Sequence, residues 1–146
     1  MEYEKFNFMK IISLIYRKTN MYLNNEISEL GITSGMAPFI MLTCVHGKMI
    51  QNDFCKYLDM NKGTVARAIA KLEENGFVER RCNSVDGRFI DVYPTKKAKS
   101  IYPFLKKIGQ KWTNEITYNM TESEKAEFKR LLEICAENSG KFFKRS

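Results

Sequence analysis

The chain has 146 residues, a length that fits one domain, residues 1–146. Its formal net charge of +7 favours an acidic partner. Its four cysteines lack the CxxC spacing of a zinc site and its only histidine is His46, so we expect reduced thiols, no metal and no cofactor. A membrane span needs about 18 consecutive apolar residues, and no stretch of the sequence approaches that length. No signal-peptide pattern opens the chain. We therefore expect a cytoplasmic protein without a membrane partner.

The first third of the chain predicts two helices. Apolar residues recur every three or four positions over residues 8–30, which indicates one long amphipathic helix that ends at Gly31. Ser34 is expected to cap a second helix that reaches Val45 and stops at His46-Gly47. This second helix is mostly apolar, so we expect it to be buried.

Two further helices follow. A short one is predicted over residues 51–58, and Asn61 is suited to cap a fourth helix that ends before Gly76. At about 100° per residue, one face of the fourth helix is apolar and consists of Val65, Ala68, Ile69 and Leu72. The opposite surface is small and cationic, and consists of Gly63, Arg67, Ala70 and Glu74 with Thr64 and Lys71 at its edge. A DNA groove can approach such a backbone closely, and an ordinary solvent-exposed helix is the alternative.

A hairpin is predicted after the fourth helix. Val78 and the β-prone run of residues 89–93 enclose a polar loop, and Asp86-Gly87-Arg88 lies at its tip. A helix followed by an exposed basic β-loop is the pattern of a winged helix-turn-helix. Such a pair can read a major groove and the adjacent minor groove together.

The C-terminal third predicts two long helices. Thr95 can cap the first, in which apolar residues repeat every three or four positions, and Pro103 predicts a kink within it. Thr121 and Glu124 form a capping-box pattern at the start of the second. Both helices, like the first helix of the chain, carry broad apolar stripes. Two intertwined chains can bury these stripes, and packing within one chain is the alternative.

Two motifs then identify a family. The first runs from Leu58 to Arg80 and covers the fourth helix and the entry into the hairpin; the second is Asp86-Gly87-Arg88, followed by a strand and Pro94-Thr95. Their order resembles the MarR family of winged-helix transcriptional regulators over essentially the whole chain. Gly63, where a serine is frequent, and Ile50, where a Ser or Thr cap is usual, depart from the family pattern.

The resemblance implies a mainly α fold with a small β-hairpin wing. In this fold, residues 32–95 form the winged-helix DNA-binding region, and residues 1–31 and 96–146 form flanking dimerisation helices. It further implies a homodimer that represses or activates genes from a palindromic operator. Many members release DNA when a small aromatic or lipophilic ligand binds between the two regions. We expect a ligand-responsive repressor that binds double-stranded DNA at a pseudo-palindrome.

The fourth helix supplies the expected major-groove contacts. The helix start, consisting of the Asn61 cap and the amides of Lys62, Gly63 and Thr64, favours a phosphate. Arg67 is the expected base reader, because a guanidinium can bind a guanine edge through two hydrogen bonds. Lys71 is expected to contact the DNA backbone or nothing.

The hairpin supplies the expected minor-groove contact. Arg88, beside Gly87 at the tip, can enter the groove, and Asp86 is expected to hold its guanidinium in position. Of Arg80 and Arg81, one is expected to contact phosphate while the other pairs with a local acid such as Glu79 or Asp91. A generic turn aspartate beside a solvated arginine is the alternative for the tip.

Other functions are weighed against these. The ligand site implied by the resemblance has only aromatic and hydroxyl candidates in the sequence: Tyr16, Phe39, Thr43 and Tyr57. A redox-responsive regulator is an alternative in which Cys82 is the reactive residue. A winged-helix module that binds other proteins is a further alternative. No nucleophile motif or phosphate loop is present, so we expect no catalytic residues and no enzyme.

Overall fold

The computed structural model describes residues 7–145. Residues 1–6, which belong to the predicted dimerisation region 1–31, and Ser146 lie outside the described residues. The chain forms two compact units, one that extends to Trp112 and one that begins at Thr113. Within the described residues, no helix has the length and apolar character of a membrane span, and no cluster of acidic, histidine or cysteine side chains is suited to hold a metal ion.

The first long helix is confirmed. Helix α1 spans Phe8–Ile27 and continues through a 3₁₀ turn over Ser28–Leu30. Gly31 then adopts φ +74°, in the left-handed region where glycine is favoured, and ends the helix as predicted.

Helix α2 spans Ala37–His46, and its predicted start is wrong. A turn over residues 33–36 comes first, closed by the Met36 N–H donating to the Thr33 carbonyl at 3.0 Å. Ser34 therefore lies before the helix, where its N–H donates to Asn24 Oδ1 at 2.8 Å instead of capping. The C-terminal stop is confirmed, since Gly47 is left-handed with φ +73°.

The short third helix is tighter at its start than predicted. A 3₁₀ turn over Gln51–Asp53 leads into α3, Phe54–Leu58, and Asp59 ends it at φ +51°. Helix α4 then spans Lys62–Glu74. Its apolar face is confirmed, because three of its members are fully buried and Ala68 is half-buried, and the buried ones are Val65, Ile69 and Leu72.

The predicted hairpin is one part of a larger sheet. Strands β2, Val78–Cys82, and β3, Ile90–Pro94, pair antiparallel. A two-residue strand that the sequence pattern missed, β1 over Met49–Ile50, pairs with the other edge of β3. The sheet order in the described residues is therefore β1-β3-β2, with the wing strand β3 in the centre.

The core of the first unit lies under this sheet and the middle helices. Phe39 of α2 and Phe54 of α3 are buried with ring centroids 5.2 Å apart. Other large apolar side chains that are fully buried come from α1, α2, α4, the residue before β2, and β3: Ile27, Ile40, Val65, Ile69, Leu72, Phe77 and Val92. Helix α4 is thus fixed along its apolar face, and its opposite face stays open to solvent.

Helix α5 spans Lys96–Ile116. The Ala98 N–H donates to Thr95 Oγ1 at 3.3 Å, which confirms Thr95 as the cap. The helix continues through Pro103, where the kink stays a prediction. Within the first unit, Trp112 stacks on Tyr22 of α1 with centroids 4.7 Å apart, and its Nε1 donates to Thr19 Oγ1 at 2.9 Å.

The second unit contains helix α6, Glu122–Arg145. Its capping box is confirmed: the Glu124 N–H donates to Thr121 Oγ1 at 3.1 Å, and the Thr121 N–H donates to Glu124 Oε1 at 2.9 Å. The apolar side chains of α6 remain largely exposed, among them Leu131, Leu132, Ile134, Phe142 and Phe143.

Candidate nucleic-acid interface

Helix α4 begins from a side-chain cap. Asn61 Oδ1 accepts the Thr64 backbone N–H at 2.8 Å, which confirms Asn61 as the N-cap. Such a cap stabilises a helix by about 1 kcal/mol relative to Ala. The Thr64 amide is consequently engaged within the protein, which differs from the expectation that it faces a phosphate. The amides of Lys62 and Gly63 remain as first-turn donors, at the positive end of the helix dipole.

Arg67 lies on the exposed face of α4, one turn after the helix start. Its Nη2 donates to Thr64 Oγ1 at a long 3.4 Å. A Cβ placed on Gly63 would lie 3.3 Å from Arg67 Nη1, so the missing side chain makes room for the guanidinium. Because this group has one weak hydrogen bond, it can turn toward a base edge at small cost.

The wing tip holds its arginine firmly. The wing loop, residues 83–89, connects β2 and β3, and in it Arg88 Nε and Nη2 donate to the Asp86 carboxylate at 3.0 and 2.7 Å. The Arg88 backbone N–H donates to the same carboxylate at 3.0 Å. These bonds, the side-chain one first, hold the pKa of Asp86 below its ordinary value. The predicted geometry of this pair is confirmed.

Exposure favours the arginine of the pair as the outward group. The Arg88 side chain is 85% exposed, whereas that of Asp86 is 29% exposed. Gly87 between them is not left-handed, and a Cβ on it would meet open space. The turn therefore needs no special backbone angle at Gly87, although the sequence pattern suggested a glycine turn.

Arg80 has a partner that the sequence pattern did not identify. Glu73, at the end of α4, accepts the Arg80 backbone N–H at 2.8 Å and its Nε and Nη2 at 3.1 and 2.9 Å. The Arg80 hydrogen bonds hold the pKa of Glu73 below its ordinary value. The sequence signal that could have indicated this pair is the spacing of seven residues between Glu73 and Arg80. The turn at Gly76 lies between them and brings β2 back alongside the end of α4.

Arg81 pairs with Glu79, one of the two acidic residues predicted as partners in this region. Its Nη2 lies 3.1 Å from Glu79 Oε2, with both side chains more than half exposed. Its guanidinium also lies 4.7 Å from the centre of the Tyr93 ring. Lys71 on α4 is exposed as well. The exposed cationic side chains of α4 and the wing are therefore Lys62, Arg67, Lys71, Arg81 and Arg88.

The structure does not gather the four predicted ligand residues. Phe39 and Thr43 are in the core, and the Thr43 hydroxyl donates to carbonyls of its own helix at 2.9 Å. Tyr16 is 68% exposed on α1, and Tyr57 is 59% exposed beside His46. Because two of them are buried and two point to solvent, they do not line a common cavity.

A different cavity lies in the first unit between α1, α2 and α5. We call it the α1–α2–α5 crevice; it has a volume of about 200 Å³. Its lining is apolar apart from Ser34 and contains no charged residue: Leu23, Ile27, Ser34, Ala37, Pro38, Met41, Leu105, Ile108 and Gly109. Its chemistry suits a small uncharged molecule.

Comparison with known proteins gives consistent results. The MarR family model matches residues 41–90. The uncharacterized HTH-type transcriptional regulator YybA of Bacillus subtilis is 26% identical over 132 residues, which cover 90% of this chain and 88% of YybA.

Solved structures agree over nearly the whole length. A MarR transcriptional regulator from Methanosarcina mazei is 35% identical, with a TM-score of 0.82, and the match covers 91% of this chain and 96% of that one. A mutant MarR from E. coli, complexed with operator DNA, is 25% identical with a TM-score of 0.80, and covers 91% of this chain and 96% of that one. With its helix order, central wing strand and exposed arginines, the chain belongs to the MarR family of winged-helix transcriptional regulators.

Proposed function

We propose that this regulator is a homodimeric repressor that binds a pseudo-palindromic operator in double-stranded DNA. The observation that carries the proposal is the pair of exposed arginines on adjacent elements, Arg67 on α4 and Arg88 on the wing. The similar mutant MarR from E. coli in complex with operator DNA supports a DNA partner. Repression follows if the operator overlaps a promoter, since a bound dimer then excludes the polymerase.

In this proposal each element has its own task. The first turn of α4, with Asn61, Lys62, Gly63 and Thr64, binds a phosphate and sets the position of the helix. Arg67 reads a base edge in the major groove, with a discrimination of about 1–3 kcal/mol. Lys71 and Arg81 bind backbone phosphates, while Arg80 holds the wing against α4 through Glu73. Arg88, oriented by Asp86 and unobstructed at Gly87, enters the minor groove.

Exposed apolar surface supports the proposed dimer. On α1, Phe8, Met9 and Ile12 are more than half exposed, and on α6 so are Leu132, Phe142 and Phe143. Apolar stripes of this extent are typical of surfaces that a partner covers. We infer that residues 1–31 and 96–146 of two chains bury them in one interface, within a single 1–146 domain. Two copies of α4 then meet half-sites about one DNA turn apart.

The α1–α2–α5 crevice is the proposed site where an effector binds and regulates the protein. A small uncharged lipophilic molecule in it contacts α2 and α5 at once, through Met41 and Leu105 among others. Helix α5 is joined to the end of α4, because Thr95 Oγ1 donates to the Gly76 carbonyl at 2.6 Å. A ligand that shifts α5 therefore changes the position of α4, which we call the recognition helix because it is proposed to read the major groove.

The experiment is selection of bound duplexes from a random DNA pool at a fixed, stated salt concentration. It is run with the wild-type protein and with Arg67→Ala and Arg88→Ala. We expect the wild type to enrich a two-fold symmetric sequence, Arg67→Ala to lose preference at one position of each half-site, and Arg88→Ala to lose preference for the flanking A·T pairs. Enrichment of no sequence by the wild type contradicts the proposal and favours a protein-interaction module.

A further inference from the structure

The base of the wing contains a buried carboxylate. Asp91, on the central strand β3, is only 4% exposed, and its Oδ1 accepts Asn83 Nδ2 at 3.0 Å. Its Oδ2 lies 3.7 Å from Lys48 Nζ, at the start of β1. A carboxylate removed from water costs free energy unless hydrogen bonds and charges compensate it. Asn83 and Lys48 supply that compensation. Because the buried carboxylate needs these partners, they hold it in one arrangement.

Asn83 joins this carboxylate to the wing loop. Its Oδ1 accepts the backbone N–H groups of Val85 and Asp86, both at 2.9 Å. Its own backbone N–H donates to the Phe89 carbonyl at 3.0 Å, which closes the loop. One amide side chain thus bonds to the sheet with its nitrogen and to the loop backbone with its oxygen.

The same bonds lead to the arginine at the tip. Asp86, whose N–H is fixed by Asn83, is the residue that holds Arg88 through its carboxylate. The path therefore runs from the buried Asp91 through Asn83 and Asp86 to an 85% exposed guanidinium. A loop held in its binding conformation loses less entropy when it meets a ligand.

We propose that Asn83 and Asp91 are positioning residues, which we call the wing anchor, and that they preset Arg88 for the minor groove without contacting DNA. The inference rests on the proposed function, because it assigns a purpose to the order of the wing. Asp91 faces Ile50 and Arg81 in the strand register, inside the sheet. In this proposal it acts on Arg88 through Asn83 and Asp86.

The test measures affinity for the duplex that the wild-type protein enriches from the random pool. Asn83→Ala is expected to weaken binding about tenfold. In an Arg88→Ala background, the same substitution is expected to add less than about twofold, because the anchor serves that arginine. A matched control is Ser84→Ala, at an exposed position of the same loop, which is expected to leave affinity unchanged.

A donor–acceptor exchange separates positioning from mere folding. Asn83→Asp alone places two carboxylates together and is expected to weaken binding at least as much as Asn83→Ala. Adding Asp91→Asn returns an amide to the pair with its polarity reversed, and is expected to restore binding to within about threefold. A loss of stability unrelated to the contact between residues 83 and 91 would not be restored by this second substitution.

Hydrogen exchange reads the anchor without DNA. The amides of Val85 and Asp86 are expected to exchange at least tenfold faster in Asn83→Ala, while those of α4 stay unchanged. Equal exchange in the two proteins, or additive losses with Arg88→Ala, would overturn the inference. If the wild type enriches no duplex, the proposed function fails, and the exchange experiment alone then decides whether the anchor orders the wing.

Discussion

Arg67 and Arg88 carry the same guanidinium under different constraint. Arg88 has four hydrogen bonds to the Asp86 carboxylate, one from its backbone N–H and three from its guanidinium, at 2.7 to 3.2 Å, whereas Arg67 has one contact of 3.4 Å to Thr64. A preset cation suits the minor groove, where shape and negative potential are read. A mobile one suits the major groove, where the side chain must align with a particular base edge. The two arginines therefore differ in what their replacement should change.

Arg67→Ala is expected to relax sequence preference more than it lowers overall affinity. The loss should be about 1–3 kcal/mol on the preferred half-site and much less on random DNA, because base contacts carry the specificity. Arg67→Lys is the matched control, since it keeps the charge and loses the fork that binds two acceptors. Titrations against both duplexes measure the difference, and an equal loss on each would assign Arg67 to a phosphate instead.

The cysteines are expected to react in an order set by exposure and burial. Cys82 is exposed in β2, whereas Cys44 is half-buried and burial raises its pKa, which lowers the fraction of reactive thiolate. Brief treatment with N-ethylmaleimide followed by mass spectrometry should therefore show Cys82 modified well before Cys44.

Cys82 also tests the redox alternative. If the protein responds to ligands rather than oxidants, Cys82→Ser should bind the enriched duplex as the wild type does, before and after exposure to peroxide. A peroxide-dependent loss of affinity that disappears in Cys82→Ser would favour the redox-responsive regulator.

At the scale of elements, the end of α4 is bound from two sides. Glu73 ties it to β2 through Arg80, and the start of α5 holds the turn that follows. There, Lys97 Nζ donates to the Asn75 carbonyl at 2.8 Å and lies 4.4 Å from the centre of the Phe77 ring. The recognition helix, the wing and α5 are therefore connected at one end of α4.

The Glu73–Arg80 link is expected to depend on pH. The pKa of Glu73 is lower in the folded protein than its ordinary value of 4.5, so its contribution is complete above that value and is lost as the pH falls through the lowered pKa. Glu73→Gln should thus destabilise the protein at neutral pH, by about 1 kcal/mol because the pair is partly exposed.

Urea unfolding at several pH values measures this effect. The difference in the free energy of unfolding between wild type and Glu73→Gln should shrink below the ordinary pKa. Glu74→Gln, at the exposed neighbouring position, is the control and should show no comparable difference. A difference that persists unchanged in acid would mean that packing, not ionisation, holds the helix end.

Local patterns predicted most of these elements, and distant partners account for the misses. Features that depend on residues a few positions apart are confirmed. They are the apolar spacing in α4 and the helix caps Asn61, Thr95 and Thr121. Strand β1 has two residues, too few for an alternating pattern. It forms only because it pairs with β3, which lies about forty positions later in the sequence. The wing pair Asp86–Arg88 was local and predictable, whereas Asn83 and Asp91 meet only when the strands pair.

At the scale of the whole molecule, exposed apolar surface is the main feature left without a partner in a single chain. Helix α1 exposes 84% of Phe8, and α6 exposes 76% of Phe143. In the proposed function, the DNA-binding surface of one chain covers one half-site only. Dimerisation would solve both problems together, because it buries the stripes and pairs the recognition helices.

Leu131→Lys on α6 is expected to convert the dimer to a monomer. Leu131 is 47% exposed in the single chain, so a lysine there costs little in the monomer but brings buried charge into the proposed interface. Sedimentation velocity should show the smaller species, and affinity for the symmetric duplex should fall at least tenfold. Glu133→Lys, on the opposite face of α6, is the control and should remain dimeric; a dimeric Leu131→Lys would contradict the assigned interface.

The sheet order also bears on solubility. With β3 in the centre, β2 is an edge strand of the described sheet, and edge strands offer backbone groups for pairing with other molecules. Of these groups, the Arg80 N–H already donates to the Glu73 carboxylate at 2.8 Å. Three consecutive charged residues, Glu79, Arg80 and Arg81, occupy the middle of that strand. Charged edges discourage strand addition and aggregation. We therefore expect Arg80 and Arg81 to limit edge-to-edge association of concentrated protein, so replacing both with neutral residues should lower its solubility.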